Sequence, residues 1–294
     1  MVFSAVANTG RFIASHPLTR DRKLEAFGRL LRWQVEGFLR DAVIFPWIAG
    51  TRLLVKRGMS GATGNIYCGL HEFAEMAFVL HLLRTGDLFA DVGANIGSYT
   101  VLAAGVRRAR VVAVEPGSAA RAALLDNVAL NGLDDLVRVE AVALGASRDR
   151  IRFTRGGDTI NHVVSGQDRA SEEVQQITGD ALFRDECPVL MKLDVEGYEA
   201  AVLAGAAATL TNPELKALII ELNGSGCRYG FDDVRTHRNL LDLDFVPHDY
   251  LPRPRELRGR RAPSGQSTIY VRDLEWVRRR VETAEIVRVL HQEL

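Results

Sequence analysis

A turn with two glycines follows a short apolar stretch in the first half of the chain. It reads Asp91-Val-Gly-Ala-Asn-Ile-Gly97, and Gly93 and Gly97 leave room where a backbone bends and a ligand approaches closely. The N–H groups of a helix that starts after such a turn favour an anionic group such as a carboxylate. The spacing lacks the third glycine of a dinucleotide motif, and Asp91 would repel a pyrophosphate. The turn therefore favours a ligand with both a carboxylate and an amino group over NAD.

A second acidic residue, Glu115, ends the next apolar run, 24 residues after Asp91. A carboxylate at such a strand end can accept hydrogen bonds from both hydroxyls of a ribose. Taken alone, Glu115 is equally consistent with a solvated strand end. Together with the Asp91 turn it predicts a ribose-bearing cofactor with an amino acid end, as S-adenosylmethionine is.

Three charged residues alternate at the end of a later apolar run. Lys192, Asp194 and Glu196 are spaced by two residues, and the period of a strand sends such side chains to one side. A polar face beneath the cofactor predicts an acceptor site, in which Asp194 takes a proton from a hydroxyl group. The alternative is a structural ion pair between Lys192 and a carboxylate.

A metal-dependent version of this site is a second hypothesis. Asp194 with Glu221 and Asn223, at the end of the following apolar run, would supply hard oxygen ligands for magnesium. Strand-end carboxylates are also common in metal-free α/β sites, so both versions remain open.

Histidines supply one further candidate base. His162, in Asp158-Thr-Ile-Asn-His162, lies in a variable stretch near the expected acceptor. His71 and His248 are more consistent with surface or hydrogen-bonded structural roles.

The elements that position these residues alternate between strands and helices, which indicates a parallel sheet covered on both faces. Helices are predicted from Glu72 to Leu83, from Tyr99, through Asn127 and over Ala200–Leu210. The predicted strands are Leu88–Asp91, Val111–Glu115, Val137–Leu144, Val189–Asp194, Ala217–Leu222, Phe245–Tyr250 and Thr268–Arg272.

Both ends of the chain carry additional elements. The apolar residues Leu24, Phe27, Leu31, Val35 and Phe38 recur at steps of three and four, which predicts a helix that buries this face. A strand is predicted over Arg52–Lys56, followed by a turn-rich stretch around Gly58, Gly61 and Gly64. Leu274–Leu294 is predicted to be one charged amphipathic helix.

The sequence resembles the FkbM family of methyltransferases over about residues 67–272. The segments that carry the resemblance are Tyr67-Cys-Gly-Leu-His-Glu72, Gly86-Asp-Leu-Phe-Ala-Asp-Val-Gly-Ala-Asn-Ile-Gly97, Val114-Glu-Pro116, Asn127-Val-Ala-Leu-Asn-Gly132, Val142-Ala-Leu-Gly145 and Lys192-Leu-Asp-Val-Glu-Gly-Tyr-Glu199. The glycine turn alone is typical of the whole class I superfamily, whereas the Lys192–Glu199 segment is specific to this family.

The resemblance implies an α/β class I Rossmann-like fold, with a mostly parallel seven-stranded sheet and helices on both faces. It also implies S-adenosylmethionine as cofactor and methyl transfer to a hydroxyl of a sugar, polyketide or related small molecule. Residues 1–66 then form an N-terminal extension, residues 67–272 the methyltransferase domain, and residues 273–294 a C-terminal helix.

The resemblance also implies roles for individual residues. It assigns Asp91, Gly93, Asn95 and Gly97 to the methionine part of the cofactor, Glu115 to the ribose, and Val142 and Ala143 to the adenine edge. We also expect Ala94 to contact the cofactor, and Glu72 and Glu196 to contact the acceptor. The stretch Ser264–Tyr270 lacks the Asn expected before the final strand.

The amino-acid composition restricts the classes of binding partner. The net charge is zero, and 37 basic residues balance 37 acidic ones, so no overall positive field favours a nucleic acid. The three cysteines form no metal-binding pairs, and no signal or membrane-spanning stretch is recognised. We expect a cytoplasmic protein with a small-molecule acceptor, and we leave homo-oligomer formation open.

Two other classes are weighed against a methyltransferase. A nicotinamide dehydrogenase is disfavoured by the missing third glycine and by the lack of a Tyr-x-x-x-Lys pattern. A non-catalytic cofactor-binding scaffold is disfavoured because Asp91, Glu115 and the Lys192–Glu199 segment are all intact.

Overall fold

The computed structural model describes residues 2–56, 59–155, 161–164 and 170–294. Its helices are Val2–Ser15 (α1), Lys23–Leu39 (α2), Ser60–Cys68 (α3), Phe73–Leu82 (α4), Ser98–Val101 (α5), Ser118–Leu130 (α6), Gly179–Leu182 (α7), Glu199–Ala204 (α8), Ala207–Thr211 (α9), Asp233–Leu241 (α10) and Leu274–Glu282 (α11). Helix α5 continues into a π-helical segment, Leu102–Val106, and short 3-10 turns occupy Ile48–Gly50 and Ser225–Tyr229.

The strands form one large sheet and three small ones. They are Ala42–Pro46 (β1), Arg52–Lys56 (β2), Leu88–Val92 (β3), Arg110–Val114 (β4), Val137–Glu140 (β5), Ala143–Leu144 (β6), Asp149–Thr154 (β7), Ser171–Ile177 (β8), Leu190–Leu193 (β9), Ala217–Glu221 (β10), Val246–Leu251 (β11), Glu256–Gly259 (β12), Ser267–Val271 (β13), Arg288–Val289 (β14) and Gln292–Glu293 (β15). The large sheet has the order β12-β11-β13-β10-β9-β3-β4-β5.

The large sheet confirms the predicted α/β class. The five strands β5, β4, β3, β9 and β10 are mutually parallel. Beyond them, β13 pairs antiparallel with β10, and β11 pairs antiparallel with β13. These seven strands match the expected number, and the hairpin partner β12 adds an eighth at the edge. This strand lies in the Arg- and Pro-rich segment between β11 and β13.

The central strands are buried on both faces, which explains their unbroken apolar runs. Along β3, Phe89 belongs to the core on one face of the sheet, while Leu88 and Ala90 belong to the core on the other. Helices α4, α6 and α11 cover the first face, and α8, α9 and α10 cover the second. Each fully buried large side chain such as Phe89 stabilises the fold by about 2–3 kcal/mol.

The chain order of the sheet reverses between β3 and β9. From β3 the chain runs outward through β4 to β5 and then returns to β9 on the other side of β3. Asp91 pairs in register with Lys192 across this boundary. A crevice at the carboxyl ends of the strands is expected at such a reversal, and the two polar motifs therefore meet there.

Helix α2 forms where the periodicity predicts it, but the predicted orientation is wrong. It buries Ala26, Trp33 and Gly37. The apolar residues predicted to be buried are instead exposed: Leu24 at 90%, Phe27 at 38%, Leu31 at 67%, Val35 at 52% and Phe38 at 74%. The helix has two apolar faces, and periodicity alone does not tell which of them the rest of the chain covers.

The turn predicted around Gly61 and Gly64 is wrong, since helix α3 spans both residues. Gly58 lies outside the described residues. At Gly64 a side chain would place its Cβ 2.5 Å from the ring of His71. This glycine therefore permits close packing of α3 and does not mark a turn.

Two further predicted elements are shorter than expected. The segment 137–144 divides into β5, in the large sheet, and β6, which joins β8 and β7 in a separate sheet. The terminal helix α11 ends at Glu282, and β14 and β15 form a hairpin beyond it. Val287, Val289 and Leu294 are buried there, so the apolar residues anchor a hairpin and do not continue the helical face.

The described residues contain no helix long and apolar enough to cross a membrane. The division of the chain at residues 66 and 272 stays a prediction. Buried residues of the N-terminal segment, such as Ile13 and Trp33, share one core cluster with Phe89 of the large sheet.

Candidate active site

The Asp91 turn is shaped by close contact with the end of β9. Gly93 has φ +80°, and a Cβ at this position would lie 1.8 Å from the carbonyl oxygen of Asp194. Gly97 has φ +86°, and its Cβ would lie 2.4 Å from Leu124. Both positions therefore need glycine for conformation and for space. The turn is thereby held against the Lys192–Glu196 segment.

Asp91 is buried at the floor of the crevice. Its Oδ2 accepts a hydrogen bond of 2.7 Å from the hydroxyl of Thr100. Its Oδ1 is buried and has no hydrogen-bond partner among the described residues. Burial raises the pKa of Asp91, while Lys192 and Thr100 act in the opposite direction. A buried carboxylate oxygen without a partner is costly, and a donor such as an amino group would satisfy it.

Glu115 closes the turn from the neighbouring strand. Its Oε2 accepts a hydrogen bond of 2.8 Å from the N–H of Asn95, and its Oε1 accepts one of 2.8 Å from the N–H of Gly117. Burial raises the pKa of Glu115 to about 7, against these two donors. Each carboxylate oxygen retains a second lone pair, which can accept a hydrogen bond from a ribose hydroxyl.

A cavity of about 280 Å³ opens above these residues. The predicted cofactor residues Asp91, Gly93, Ala94, Asn95, Glu115 and Ala143 line it. Of the described residues around it, Gly97 and Val142 are not in the lining. Gly97 packs on Leu124 instead, and Val142 packs against the core cluster of β3 and β9. At the Ala143 end, Leu144 and Phe153 add an apolar wall, as an adenine ring would require.

The other part of the cavity is polar and centres on Lys192. The ammonium of this buried lysine lies 2.7 Å from Oδ2 of Asp194 and 4.7 Å from the ring centroid of Tyr99. Tyr99 in turn donates a hydrogen bond of 2.8 Å to Oε2 of Glu72. Burial alone would lower the pKa of Lys192, but the charges of Asp194, Glu72 and Asp91 outweigh it and raise the pKa. Lys192 therefore stays charged and fixes the position of Asp194.

Three carboxylates converge beside this lysine. Oxygens of Asp194, Glu196 and Glu221 all lie within 4.8 Å of one another. Burial, followed by repulsion from Asp194, raises the pKa of Glu196 and that of Glu221 to about 7. The backbone φ of Glu196 is +56°, and a Cβ on the next residue, Gly197, would lie 2.6 Å from the backbone of Ser225.

The structure adds a third carboxylate to the predicted group of Asp194, Glu221 and Asn223. The exposed Asn223 accepts a hydrogen bond of 2.9 Å from the N–H of Ser225, and its side chain also hydrogen-bonds Glu221. The three carboxylates that come together are those of Asp194, Glu196 and Glu221. Glu196 therefore joins the predicted pair Asp194 and Glu221, and Asn223 contacts this group through Glu221.

His162 is not brought into the cavity. Among residues 161–164, Asn161 and Val163 line it and His162 does not. The backbone of His162 pairs with Thr154 at the edge of β7, and alternate residues of an extended segment point to opposite sides. Asp158, in the same motif, lies outside the described residues.

An aromatic wall borders the polar part of the cavity. It was not predicted from the sequence. Tyr198 lines the cavity, and its ring packs edge-on against Tyr229 at 5.1 Å and Phe231 at 6.1 Å. Tyr229 is fixed by donating its hydroxyl to the carbonyl of Val163. Tyr198 is part of the Lys192–Glu199 segment. The other feature of the sequence that could have indicated an aromatic wall is the Tyr229-x-Phe231 pair.

Comparisons with known proteins agree with this geometry at the level of the family. The model of the methyltransferase FkbM domain matches residues 91–247, more than half of the chain. No curated protein matches the chain.

The chain is also similar to several solved structures. One is methyltransferase FkbM from Methylobacillus flagellatus KT, with 17% identity and a TM-score of 0.45 over 71% of this chain and 52% of that one. Another is an rRNA methylase from Streptococcus thermophilus, with 11% identity and a TM-score of 0.40 over 67% of this chain and 91% of that one. A third is a SAM-dependent O-methyltransferase from Thermotoga maritima, with 16% identity and a TM-score of 0.34 over 67% of this chain and 62% of that one.

The chain spans about half the length of the Methylobacillus structure. The family model covers most of the cavity lining, from Asp91 through Glu221, but not His71, Glu72 and Met76. With the glycine turn, Glu115 and the Lys192–Glu199 segment assembled at one sheet edge, the chain belongs to the FkbM methyltransferase family.

Proposed function

We propose that this protein is an S-adenosylmethionine-dependent O-methyltransferase that acts on a hydroxylated small molecule. The observation that carries the proposal is one cavity, located where the order of the strands reverses. Its two ends present different side chains. One end presents Asp91 and Glu115, and the other presents Lys192 and Asp194. A cofactor and an acceptor can therefore lie side by side with their reacting groups adjacent.

The cofactor end suits S-adenosylmethionine. The unpaired Oδ1 of Asp91 would accept from its amino group, and Glu115 from its ribose. When bound, this cofactor supplies a methyl group on a sulfonium, and transfer forms an O–C bond as the S–C bond breaks. Most of the acceleration then comes from holding the acceptor oxygen in line.

Asp194 is the proposed base. The hydroxyl proton must leave as the oxygen is methylated, and a carboxylate within hydrogen-bond reach can take it. The Lys192 ammonium, 2.7 Å from Oδ2, restricts Asp194 to one orientation. Oδ1 of Asp194 then remains to face the acceptor.

A ring-shaped polyol such as a sugar fits the acceptor end best. The ring of Tyr198 can pack against the apolar face of such a ring. Glu72, Glu196 and Glu221 can accept hydrogen bonds from its hydroxyls. A polyketide acceptor would use the same aromatic wall but would leave more of these carboxylates unpaired.

Release of S-adenosylhomocysteine tests the proposal. We expect product release with a panel of neutral glycosides, and methylated product at a hydroxyl by mass spectrometry. Separate calorimetric titrations should show binding of S-adenosylmethionine and none of NAD. Preference for NAD, or tight cofactor binding without turnover on sugars and polyketides, would contradict the proposal.

A magnesium-assisted version is the second candidate, because Asp194, Glu196 and Glu221 converge within 4.8 Å. Against it, the ammonium of Lys192 already neutralises Asp194. We therefore expect turnover to persist in EDTA. Loss of turnover in EDTA, with recovery on added magnesium, would favour the second candidate.

A further inference from the structure

Lys192 is a buried lysine with more than one carboxylate within its reach. Within the described residues its ammonium donates one hydrogen bond, of 2.7 Å, to Oδ2 of Asp194. The charges of Glu72 and Asp91 attract the same ammonium. A buried ammonium can form a charge-assisted hydrogen bond with any carboxylate that it reaches. The fold must therefore contain a feature that selects Asp194 over the other two.

Tyr99 holds one of the competing carboxylates, that of Glu72. Its hydroxyl donates a hydrogen bond of 2.8 Å to Oε2 of Glu72. Burial, followed by the charges of Glu72 and Glu75, raises the pKa of Tyr99 well above its ordinary value. The hydroxyl therefore keeps its proton and remains a donor. One oxygen of Glu72 is occupied by a charge-assisted hydrogen bond, which also fixes the orientation of this carboxylate.

The other competitor, Asp91, is held by Thr100, the residue after Tyr99. The hydroxyl of Thr100 donates a hydrogen bond of 2.7 Å to Oδ2 of Asp91. Asp194, by contrast, receives no hydrogen bond from the described side chains other than the one from Lys192. The first turn of α5 thus occupies an oxygen of both competitors and leaves Asp194 as the partner of the lysine.

The ring of Tyr99 contacts the lysine directly. The ammonium of Lys192 lies 4.7 Å from the centroid of this ring, and the two residues are 3% and 5% exposed. Cation–π attraction is stronger when both groups are removed from water. The hydrogen bond to Glu72 restricts the orientation of the ring. One side chain therefore contacts both the lysine and a carboxylate that competes for it.

We infer that Tyr99 is a positioning residue that keeps Lys192 paired with Asp194. Its ring attracts the ammonium, and its hydroxyl engages Glu72, which otherwise competes for the same ammonium. Asp194 is thereby kept with Oδ2 on the lysine. The consequence for turnover rests on the proposed function, in which Asp194 is the base, whereas the pairing itself does not.

NMR of the free protein tests the pairing without turnover. The lysines are few, namely Lys23, Lys56, Lys192 and Lys216, so lysine labelling gives a simple spectrum. Changing each of the other three to Arg assigns the signal of Lys192. The ring of Tyr99 should shift the side-chain protons of Lys192 upfield, and Tyr99→Leu should abolish this shift. Lys216, 5.6 Å from the ring of Trp276, is the internal control and should not change.

Tyr99→Phe tests the role of the hydroxyl. The variant keeps the ring but releases Glu72, so the ammonium signal of Lys192 should move. Glu72→Gln removes the competing charge. In this background Tyr99→Phe should leave the signal of Lys192 where Glu72→Gln alone puts it.

Turnover provides the second measurement, with the neutral glycoside that releases S-adenosylhomocysteine fastest as the probe. Tyr99→Phe should lower kcat by about 10- to 100-fold, because the base loses its fixed position. The Kd of S-adenosylmethionine should not change. In the Glu72→Gln background the same substitution should lower kcat by less than about threefold.

Tyr270→Phe is the matched control for the kinetics. It also removes the hydroxyl of a buried tyrosine, which forms a hydrogen bond of 2.9 Å with the buried His237. Neither residue lines the cavity. This variant should retain the wild-type kcat, and urea unfolding should show its loss of stability.

Three results would overturn the inference. These are a Lys192 signal that is the same in the wild type and in Tyr99→Leu, an equal displacement by Tyr99→Phe with and without Glu72→Gln, and an equal loss of kcat in Tyr99→Phe and Tyr270→Phe. The expected NMR changes without turnover on any glycoside would support the pairing and contradict the proposed function.

Discussion

At the residue scale, the buried carboxylate of Asp91 restricts which ligands can bind. One of its oxygens is held by Thr100 and the other is buried without a partner. Such an arrangement is unfavourable in the free protein and becomes favourable when a positively charged donor arrives. We therefore propose that Asp91 contributes to the selectivity for an amino-bearing cofactor.

Replacing Asp91 by Asn tests this role. The change keeps the volume and an acceptor for Thr100, but it removes the charge. The loss of a charge-assisted hydrogen bond should weaken S-adenosylmethionine binding by about 10- to 150-fold in calorimetry. Adenosine, which lacks the amino acid part, should bind both proteins equally. An equal loss of adenosine affinity would mean that Asp91 only shapes the pocket.

Asp194 should behave differently. Asp194→Asn keeps a hydrogen-bond acceptor for Lys192 but cannot take a proton, so turnover should fall by about 10²- to 10⁴-fold. Cofactor affinity should be unchanged, because the carboxylate faces the acceptor end. Asp185→Asn, on the surface, serves as the control and should retain full turnover. If Asp194→Asn also retains it, Asp194 is not the base.

At the element scale, the turn after β3 packs against the end of β9 at Gly93, a position where only glycine fits. Gly93→Ala would place a methyl group against the carbonyl oxygen of Asp194 at positive φ. We expect a loss of about 2–4 kcal/mol in the free energy of unfolding, measured with urea, because the strain and the steric clash add. The cavity should deform as well, which weakens cofactor binding.

Gly132→Ala separates the backbone strain from the steric clash. Gly132 also has positive φ, at +59°, but a Cβ there meets nothing within 4 Å. It should cost only about 1–2 kcal/mol and leave cofactor binding intact. Equal losses in the two variants would show that the contact with Asp194 adds nothing.

At the scale of the whole molecule, buried glutamates make stability depend on pH. Burial raises the pKa of Glu75, Glu115 and Glu199 to about 7 in the folded protein. Between about pH 4.5 and 7 the folded state binds more protons than the unfolded state at these sites. Their contribution to stability therefore falls as the pH rises through this window and is constant above it.

Glu199→Gln isolates the effect of one buried glutamate on the pH dependence of stability. Buried histidines such as His16, whose pKa is lowered by burial, act in the opposite sense because they favour folding as the pH rises. The stability of Glu199→Gln relative to the wild type should increase by about 1–3 kcal/mol between pH 5 and 7.5, measured by urea unfolding at each pH. Glu214→Gln, at an exposed position, should show no such trend. A flat difference for Glu199→Gln would contradict a raised pKa.

The sequence by itself determined the central strands of the large sheet and the glycine turn with the strand end at Glu115. Gly93, Gly97, Asp91 and Glu115 lie within single turns or at strand ends, and the apolar runs of β3, β4, β9 and β10 set the parallel sheet. These features are local, because backbone conformation and the spacing of apolar residues depend mainly on neighbours along the chain.

Only the tertiary structure decided which faces and which distant side chains come together. It left the predicted apolar face of α2 exposed, placed His162 outside the cavity lining, and added Glu196 to Asp194 and Glu221. Periodicity identifies an apolar face but not its cover, and a strand-end position does not specify where a side chain points after the backbone turns at Glu196. Both depend on long-range packing, which a local pattern does not contain.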